Sequence, residues 1–375
     1  MDPLFIGLMS GTSLDGVDGV LCDFASASEP VRVLAHSHQT FTADFSQELL
    51  ALNTPGNNEL HRAAIAANSL ALVYAKTVEA LLTISGARRE RVIAIGAHGQ
   101  TVRHRPGEFD TTGYTIQLNA PALLAELTGL AVVADFRSRD VAAGGQGAPL
   151  VPAFHRAVFA RADTTVGVLN LGGISNLTVL GPNESTTGFD CGPGNALMDH
   201  WCRSHTGLPF DDRGAWAASG VVDQALLADM LAEPYFGRVP PKSTGRDQFN
   251  PAWLAAQLQK HAGANPRRPE DVQATLADLT AQACAAAVRS HAQGCSELLT
   301  CGGGSLNAHL MKRLAACLPG VHVAATDTRG LPAMQVEASA FAWLAYAWMG
   351  RKSGNLSQVT GARGPRVLGA LYPAR

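Results

Sequence analysis

The stretch LMSGTSLDGVDGVL, from Leu8 to Leu21, places glycine, hydroxyl and carboxylate residues between two short apolar runs. The apolar runs predict strands over Leu4 to Met9 and Val17 to Phe24, joined by a tight turn. Backbone N–H groups and hydroxyls in that turn can hold phosphate oxygens, while the carboxylate of Asp15 can hold the accompanying Mg²⁺. The alternative is that Asp15 and Gly16 serve only as hairpin-turn residues.

Two common phosphate-binding motifs do not fit this stretch. A Walker loop needs a lysine after its glycines and opens a helix, whereas here no lysine follows and Val17 to Leu21 resembles a strand. A Rossmann fingerprint also needs a following helix. The sequence therefore predicts a β-hairpin whose turn exposes its amides.

A second stretch, VGVLNLGGISNLTVL from Val166 to Leu180, repeats this pattern. Gly172 matches Gly11 and Asn176 matches Asp15, again between two apolar strands. One such hairpin opens each half of the chain, which predicts a duplicated fold with a nucleotide in a central cleft, its phosphates held from both sides. Chance similarity between two glycine-rich hairpins is the alternative.

Two further segments are rich in glycine. GFDCGPGN, from Gly188 to Asn195, precedes a predicted helix. A carboxylate there, that of Asp190, would lie where amides and the helix dipole favour anions, a suitable position for a base facing a phosphate. Helix capping is its alternative role. The run CGGGS, from Cys301 to Ser305, follows a strand and either lets a ring or sugar lie on the backbone or forms a simple turn.

The composition indicates a compact protein with a small-molecule partner. Of its 375 residues, 46% are hydrophobic and 16% charged, which argues against disorder. Lys and Arg number 29 against 31 Asp and Glu, so no overall field attracts nucleic acid or membrane. No apolar run is expected to span a bilayer and the N-terminus lacks a signal peptide, which predicts a cytoplasmic location. Seven scattered cysteines and twelve histidines lack the spacing of disulfide frameworks or zinc sites.

The order of strand-like and helix-like segments predicts an α/β protein with two domains. Helical patterning covers Ala51 to Ala80 with a break near Pro55, and an amphipathic helix is predicted over Val336 to Met349. The glycine-dense segment after Leu130 to Ala134 places the first domain boundary close to Asp135.

The motifs together resemble one family from end to end. They are GTSLDGVD (Gly11–Asp18), AHGQTVRHRP (Ala97–Pro106), the segment from Val132 to His155, NLGGISN (Asn170–Asn176), GFDCGPGNALMD (Gly188–Asp199) and the terminal LGALYP. This set is similar to the anhydro-N-acetylmuramic acid kinases of bacterial cell-wall recycling. The resemblance implies an α/β, two-domain actin-like ATPase (sugar kinase) fold with duplicated lobes around a central nucleotide cleft.

The resemblance also implies how the chain divides into lobes. The N-terminal lobe would comprise residues 1–135 plus about 355–375 and carry the first phosphate hairpin. The C-terminal lobe, residues 136–354, would carry the second hairpin, the catalytic aspartate and the glycines on the adenosine side.

The reaction implied is a phosphorylation coupled to ring opening. ATP would phosphorylate O6 of 1,6-anhydro-N-acetylmuramic acid while water opens the 1,6-anhydro bridge, giving N-acetylmuramic acid 6-phosphate. Because O6 carries no proton, a base is needed only for the water that attacks C1, and Asp190 matches the family's base. The expected cofactors are ATP and Mg²⁺, with Asp15 as the metal ligand. The expected nucleotide contacts are Gly11, Thr12, Ser13, Leu14, Asp15, Gly16, Val17, Asp18, Asn170, Gly172, Gly173, Asn176, Gly302 and Gly303.

The sugar contacts are expected from side chains elsewhere in the chain. The lactyl carboxylate of the sugar calls for a cation, which Arg137 or Arg139 could supply, although either can equally be a solvated surface residue. Glu337 lies where the family places a glutamate that contacts the substrate, with a first-turn partner of the helix dipole as its alternative role. His98 and Gln100 are expected to line the site, the alternative for His98 being a loop histidine with its bonds satisfied locally. Asp190 is expected to contact the sugar as well.

Two other functions are consistent with these motifs. One is a kinase of the same fold for another sugar or a small carboxylate, which needs no water at C1. The other is an ATP-switched binding module, which the absence of any segment left for a peptide-binding domain argues against. The expected partner is the small-molecule sugar, with no nucleic acid or membrane partner, and a homodimer is the assembly considered.

Overall fold

The computed structural model describes residues 3–11, 13–24, 31–245, 247–261 and 267–374. They form two compact units, Met1–Val158 with Gln335–Arg375, and Phe159–Met334. Each unit contains a mixed sheet with helices and its own hydrophobic core. The predicted α/β class is therefore confirmed.

The strands account for both sheets and for one separate hairpin. In chain order they are β1 (Leu4–Met9), β2 (Gly16–Asp23), β3 (Arg32–Thr40), β4 (Val92–Ala97), β5 (Gln100–Pro106), β6 (Gly113–Leu118), β7 (Val132–Ala134), β8 (Thr165–Leu171), β9 (Ile174–Leu180), β10 (Thr186–Pro193), β11 (Cys295–Cys301), β12 (His322–Ala325) and β13 (Ala370–Tyr372).

The helices cover the sheets and connect the strands. In chain order they are α1 (Ala43–Ala51), α2 (Glu59–Ser85), α3 (Pro121–Thr128), α4 (Ser138–Ala142), α5 (Val151–Phe159), α6 (Ala196–Thr206), α7 (Ala215–Ser219), α8 (Gln224–Leu231), α9 (Pro251–Lys260), α10 (Pro269–His291), α11 (Ala308–Cys317), α12 (Val336–Met349) and α13 (Ser357–Thr360).

The two sheets repeat one topology. In the first unit the strand order is β13-β7-β4-β1-β2-β3, and in the second it is β10-β9-β8-β11-β12. In both, three antiparallel strands (β1, β2, β3 and β8, β9, β10) lie beside two strands that run parallel to the first of them (β4, β7 and β11, β12). The duplication predicted from two short hairpins therefore extends over five strands of each sheet.

The limits of the units differ from the boundaries expected near residues 135 and 355. The segment 136–158 lies in the first unit because the buried carboxylate of Asp140 binds the end of the chain. Its Oδ1 accepts hydrogen bonds from Asn355 Nδ2 at 2.6 Å and Thr360 Oγ1 at 2.8 Å. The helix α12 also belongs to this unit, since it packs on β1 and β4.

The helix α12 approaches the first sheet at two glycines. A Cβ atom built on Gly7 would lie 1.9 Å from the carbonyl oxygen of Ala338, and one built on Gly96 would lie 2.0 Å from that of Phe341. Most side chains of α12 are buried, so the helix that the sequence predicted as amphipathic is a core helix. Its backbone contacts β1 and β4 where any larger residue would push it away.

We expect Gly96→Ala to destabilise the first unit by about 1–3 kcal/mol, because the added methyl group meets backbone that cannot rotate aside. Urea unfolding of the purified protein measures this change. Gly56→Ala is the matched control, since a Cβ at Gly56 meets only the flexible end of Arg62 at 3.3 Å. Equal unfolding midpoints for the two variants would contradict the close approach of α12.

The helix α2 passes the length and composition test for a membrane span, contrary to the expectation that no run would. Within its most apolar window of mean hydropathy 1.3, 44% of the residues are buried inside the protein. The helix packs on β2, β3 and α3. One such helix is weak evidence for a membrane span, because core helices of other proteins pass the same test.

Candidate active site

The first predicted hairpin is present in the first unit. Strand β1 pairs antiparallel with β2, and Met9 lies opposite Asp18. In the turn between them, Leu14 adopts a φ of 58° and its N–H donates to the Gly11 carbonyl at 3.3 Å. The exposed carboxylate of Asp15 accepts a hydrogen bond from Ser13 Oγ at 2.6 Å. The turn therefore presents one carboxylate to solvent.

Other expected contacts of this hairpin lie in tightly packed surroundings. Leu14 and Val17 belong to the core of the first unit, so any ligand contact they make goes through the backbone. Gly16 begins β2, where a Cβ would lie 2.4 Å from the carbonyl oxygen of Gln39. Thr12 lies outside the described residues.

Two histidines hold Asp18, the last residue of the predicted nucleotide stretch. Its Oδ1 lies 3.0 Å from Nε2 of His36 and 3.1 Å from Nδ1 of His38. Both histidines lie on β3, which pairs with β2. Neither histidine was predicted from the sequence, because the strand β3 that carries them was not predicted.

His98 and Arg137 contact each other in the first unit. His98 is buried, and its Nε2 lies 3.2 Å from Nε and 2.9 Å from Nη2 of Arg137. Nη1 of Arg137 donates to the Gly147 carbonyl at 2.8 Å. Burial, and then the charge of Arg137, lowers the pKa of His98 well below its ordinary value, so the imidazole is neutral at pH 7. Arg139, by contrast, is exposed.

Arg137, Glu337 and Asp18 form one group of interacting charges. Burial lowers the pKa of Arg137 to about 10, with Glu337 and then Asp140 acting in the opposite direction. Burial and then the charge of Asp18 raise the pKa of Glu337, and the charge of Arg137 lowers it. Glu337 lies in the first turn of α12. Glu337 therefore interacts both with the carboxylate of Asp18 and with the guanidinium of Arg137.

Gln100 is joined to the first hairpin by a hydrogen bond. It is buried, and its Oε1 accepts a hydrogen bond from Ser10 Oγ at the start of the first turn. The backbone N–H of His98 donates to the Leu8 carbonyl at 3.0 Å. The first hairpin and the AHGQT segment are therefore joined by these bonds, as the sequence could not show.

The second predicted hairpin is present in the second unit, where other glycine-rich segments converge on its turn. Strand β8 pairs antiparallel with β9, and Asn170 lies opposite Asn176. The N–H groups of Gly194 and Asn195 donate to the carbonyls of Gly173 at 3.0 Å and Gly172 at 2.8 Å. The CGGGS turn also lies beside Asn170 and Asn195. Three segments that are distant in sequence therefore meet at this turn.

Gly302 fits against the side chain of Asn170. Its φ is 78°, and a Cβ there would lie 2.4 Å from Oδ1 of Asn170. That oxygen is buried and has no hydrogen-bond partner among the described residues. Gly303 begins a single 3₁₀ turn beside Asn195. A ligand with a donor group could complete the bonds of Asn170 without meeting a side chain at Gly302.

Asp190 lies inside the edge strand β10, opposite Asn176, and not at the entrance of α6 as the sequence predicted. The helix α6 begins at Ala196 after Asn195, so Asp190 does not cap it. The N–H of Thr244 donates to Oδ2 of Asp190 at 3.0 Å.

The surroundings of Asp190 change its acidity. Burial raises the pKa of its carboxyl to about 6, against smaller effects of the Thr244 N–H and Lys242 that lower it. The hydroxyl of Tyr235 donates to the Asp190 carbonyl at 2.8 Å, and the Asp190 N–H donates to the Lys242 carbonyl at 3.2 Å. The carboxyl is thus held in place with a pKa raised to about 6, which suits a general base.

The predicted site residues therefore form two groups, one in each unit. Asp18, His98, Gln100, Arg137 and Glu337 lie together in the first unit. Asn170, Gly172, Gly173, Gly302 and Gly303 lie together in the second, with Asn176 and Asp190 on the adjacent strand pair.

Comparison with known proteins assigns the chain to a family. A family model described as anhydro-N-acetylmuramic acid kinase matches residues 3–374. The anhydro-N-acetylmuramic acid kinase of Variovorax paradoxus (strain S110) is 63% identical over 376 residues, covering 99% of this chain and 99% of that protein. The protein of the same name from Albidiferax ferrireducens (strain ATCC BAA-621 / DSM 15236 / T118) is 58% identical over 394 residues, covering 100% of both chains.

Solved structures of related shape are more distant. A ROK family glucokinase from Streptomyces griseus in complex with glucose and AMPPNP is 14% identical, covers 91% of this chain and 99% of that one, and gives a TM-score of 0.41. The match of the family model over nearly all of the sequence, and relatives more than half identical at full length, carry the assignment. The chain belongs to the anhydro-N-acetylmuramic acid kinase family.

Proposed function

We propose that this kinase phosphorylates 1,6-anhydro-N-acetylmuramic acid at O6 with ATP while a water molecule opens the anhydro bridge, giving N-acetylmuramic acid 6-phosphate, and that Asp190 is the general base. The observation that carries the assignment of the base is the half-buried carboxyl of Asp190, whose pKa is raised to about 6 and whose Oδ2 accepts a hydrogen bond from the Thr244 N–H. A cytoplasmic location fits a kinase that uses ATP.

The step at the sugar follows from where the protons are. Water attacks C1 and gives a proton to the Asp190 carboxylate, the C1–O6 bond breaks, and its electron pair stays on O6. O6 then forms a bond to the γ-phosphorus and ADP leaves. One base is sufficient, because O6 has no proton to lose.

The nucleotide is assigned to the two glycine-rich hairpins. The amides of the first turn and of Gly172 and Gly173 are suited to phosphate oxygens, since no side chain covers a glycine backbone. Gly302 and Gly303 leave the backbone open to the nucleoside, and the unpaired Oδ1 of Asn170 can accept one hydrogen bond from it.

Asp15 is assigned to Mg²⁺, directly or through water. The described residues contain no group of three or more His, Cys, Asp or Glu that could hold a metal. Mg²⁺ bound to a nucleotide keeps several waters and takes only one or two carboxylates, so the single exposed carboxylate of Asp15 fits it. The ion would neutralise charge on the β- and γ-phosphate oxygens.

The sugar is assigned to the charged group of the first unit. The bonds to His98 and Gly147 use three of the five N–H groups of Arg137, which leaves two for a bidentate contact with the lactyl carboxylate. Glu337 and Gln100 supply acceptors for the hydroxyl and amide groups of the sugar.

A substrate comparison tests this function. The purified protein is assayed for ADP release with the anhydro sugar, with N-acetylmuramic acid and with glucose. We expect turnover with the anhydro sugar alone. Equal turnover with glucose or N-acetylmuramic acid would favour the alternative of a kinase for another sugar, and ATP hydrolysis that no sugar stimulates would favour an ATP-switched binding module.

The pH dependence of turnover tests the state of the base. Asp190 must be deprotonated to accept a proton from water, and its pKa is about 6. The rate should therefore be constant above about pH 7 and fall by about tenfold for each pH unit below 6. A stopped assay over pH 4.5 to 8, in buffers of about equal ionic strength, measures it. A fall that begins near pH 4, the ordinary range for aspartate, would contradict the raised pKa.

The metal assignment predicts a change in magnesium dependence. In Asp15→Ala the concentration of Mg²⁺ needed for half-maximal turnover should rise by about tenfold or more, because one carboxylate ligand is lost while the turn is retained. Titration of MgCl₂ at fixed ATP measures this. Asp44→Ala, an exposed first-turn aspartate in α1, is the matched control. An unchanged titration in Asp15→Ala would remove this residue from the metal site.

A further inference from the structure

The second unit contains a cavity that the proposed reaction does not use. It has a volume of about 310 Å³ and lies between the last turns of α10 and the segment from Leu231 to Lys242. Cys191, Phe236, Lys242, Arg289 and His291 are among its lining residues. This volume is at the lower end of the range for small-molecule sites.

The cavity lies on the side of β10 that faces away from the base. Cys191 is buried against Cys284 of α10, whereas the carboxylate of the preceding residue, Asp190, contacts the Thr244 N–H. Phe189 likewise faces α10, since its ring packs edge-on against His291 at 4.9 Å. The cavity therefore lies on the opposite face of β10 from the Asp190 carboxylate, and Lys242 interacts with both, since it lines the cavity and its charge lowers the pKa of Asp190.

Three basic side chains line the cavity, and the carboxylate of Asp190 acts on one of them by raising the pKa of Lys242. No ion pair is present at Lys242, Arg289 or His291 in the part of the chain that the structure describes. Nζ of Lys242 donates to the Phe236 carbonyl at 3.2 Å, and Nη1 of Arg289 donates to the Cys317 carbonyl at 2.8 Å. Both cations thus keep N–H groups for another acceptor.

Two of these side chains, Lys242 and His291, raise the local positive potential together. The ammonium of Lys242 lies 4.9 Å from the centroid of the Tyr235 ring, which keeps it at the cavity wall. Burial lowers the pKa of Lys242, an effect to which Arg238 adds and which Cys191 and Asp190 oppose. Burial and the charge of Lys242 also lower the pKa of His291. An anion between these groups would relieve their mutual repulsion.

We propose that this cavity is an anion site for a phosphate dianion, either inorganic phosphate or the phosphoryl group of a phosphomonoester. Arg289 supplies a planar fork of donors, Lys242 a point charge, and His291 a ring N–H, which is the donor set that phosphate oxygens take. Phe236 and Leu231 add apolar surface to the lining.

Isothermal titration with inorganic phosphate at pH 7 tests the site. The nucleotide site is first saturated with magnesium and a non-hydrolysable ATP analogue, so that phosphate cannot bind there. We expect the affinity for phosphate to fall by about tenfold or more in Arg289→Gln and in His291→Gln, since each loses a donor. Arg203→Gln, which removes an exposed arginine of α6, is the matched control and should bind phosphate like the parent protein.

A second titration, with glucose 6-phosphate and with glucose, distinguishes the sources of the anion. Binding of glucose 6-phosphate that is lost in the same two variants assigns the site to phosphomonoesters as well as to the free ion. Absence of phosphate and glucose 6-phosphate binding in the parent protein, or unchanged affinities in both cavity variants, would overturn the proposal. Thermal unfolding of each variant shows whether it is folded, and His291→Gln decides the matter if Arg289→Gln is not. The titration needs no turnover, so its outcome is independent of the sugar kinase assay.

Discussion

In the Asp190→Asn variant, turnover with the anhydro sugar should fall by roughly two to four orders of magnitude, which is the usual contribution of a positioned general base. The amide has the same shape as the carboxyl group, and its oxygen can still accept the hydrogen bond that Thr244 N–H now donates at 3.0 Å. It cannot accept a proton from water. The loss should therefore appear in kcat, with little change in the binding of nucleotide.

Controls for this variant separate chemistry from folding. Asp212→Asn makes the same change at a side chain that is 77% exposed and should keep full turnover. Thermal unfolding should give both variants a midpoint close to that of the parent protein. The remaining activity of Asp190→Asn should also lose the decline below pH 6. A folded variant with near-normal turnover would assign the base to another residue.

The hairpins and the family could be predicted from the sequence because their signals are local. Strand β1, its turn and the first part of β2 lie within a few residues of one another, and glycine spacing marks the turn directly. The repeat at Val166 to Leu180 was visible for the same reason. These two signals led to a duplicated α/β fold, and the structure extends the repeat to five strands in each sheet.

The environment of Asp190 could not be predicted because its contacts come from distant positions. Thr244 follows it by 54 residues and Tyr235 by 45, and no local pattern in the sequence marks either residue as a neighbour of Asp190. The prediction that a helix dipole acts at Asp190 was wrong, because this residue belongs to the strand β10, which pairs with β9. The pairing of β10 with β9 determines on which face of the sheet the Asp190 carboxylate lies.

The contact between His98 and Arg137 was missed for a related reason. Each was singled out alone, with a locally satisfied histidine and a solvated arginine as alternatives. Their bonds at 2.9 and 3.2 Å join segments 39 residues apart that meet because β4 and β7 are adjacent parallel strands. Sequence spacing carries no information on which strands of a sheet are neighbours, so the pair follows from the topology alone.

The fate of solvent oxygen provides the second large effect, because the proposed mechanism allows only one outcome. If Asp190 activates a water that attacks C1, one turnover in ¹⁸O-labelled water should place the label on the anomeric carbon of the product and none in its 6-phosphate. The phosphoryl group moves from ATP to O6 without contact with water, so label in the transferred phosphoryl group would contradict the mechanism. Hydrolysis of ATP separate from ring opening would instead put the label into inorganic phosphate.

Mass spectrometry of the product and its fragments locates the label. Because the free anomeric hydroxyl exchanges with water, unlabelled product held in labelled water for the same time is the control, and label at C1 must exceed that background.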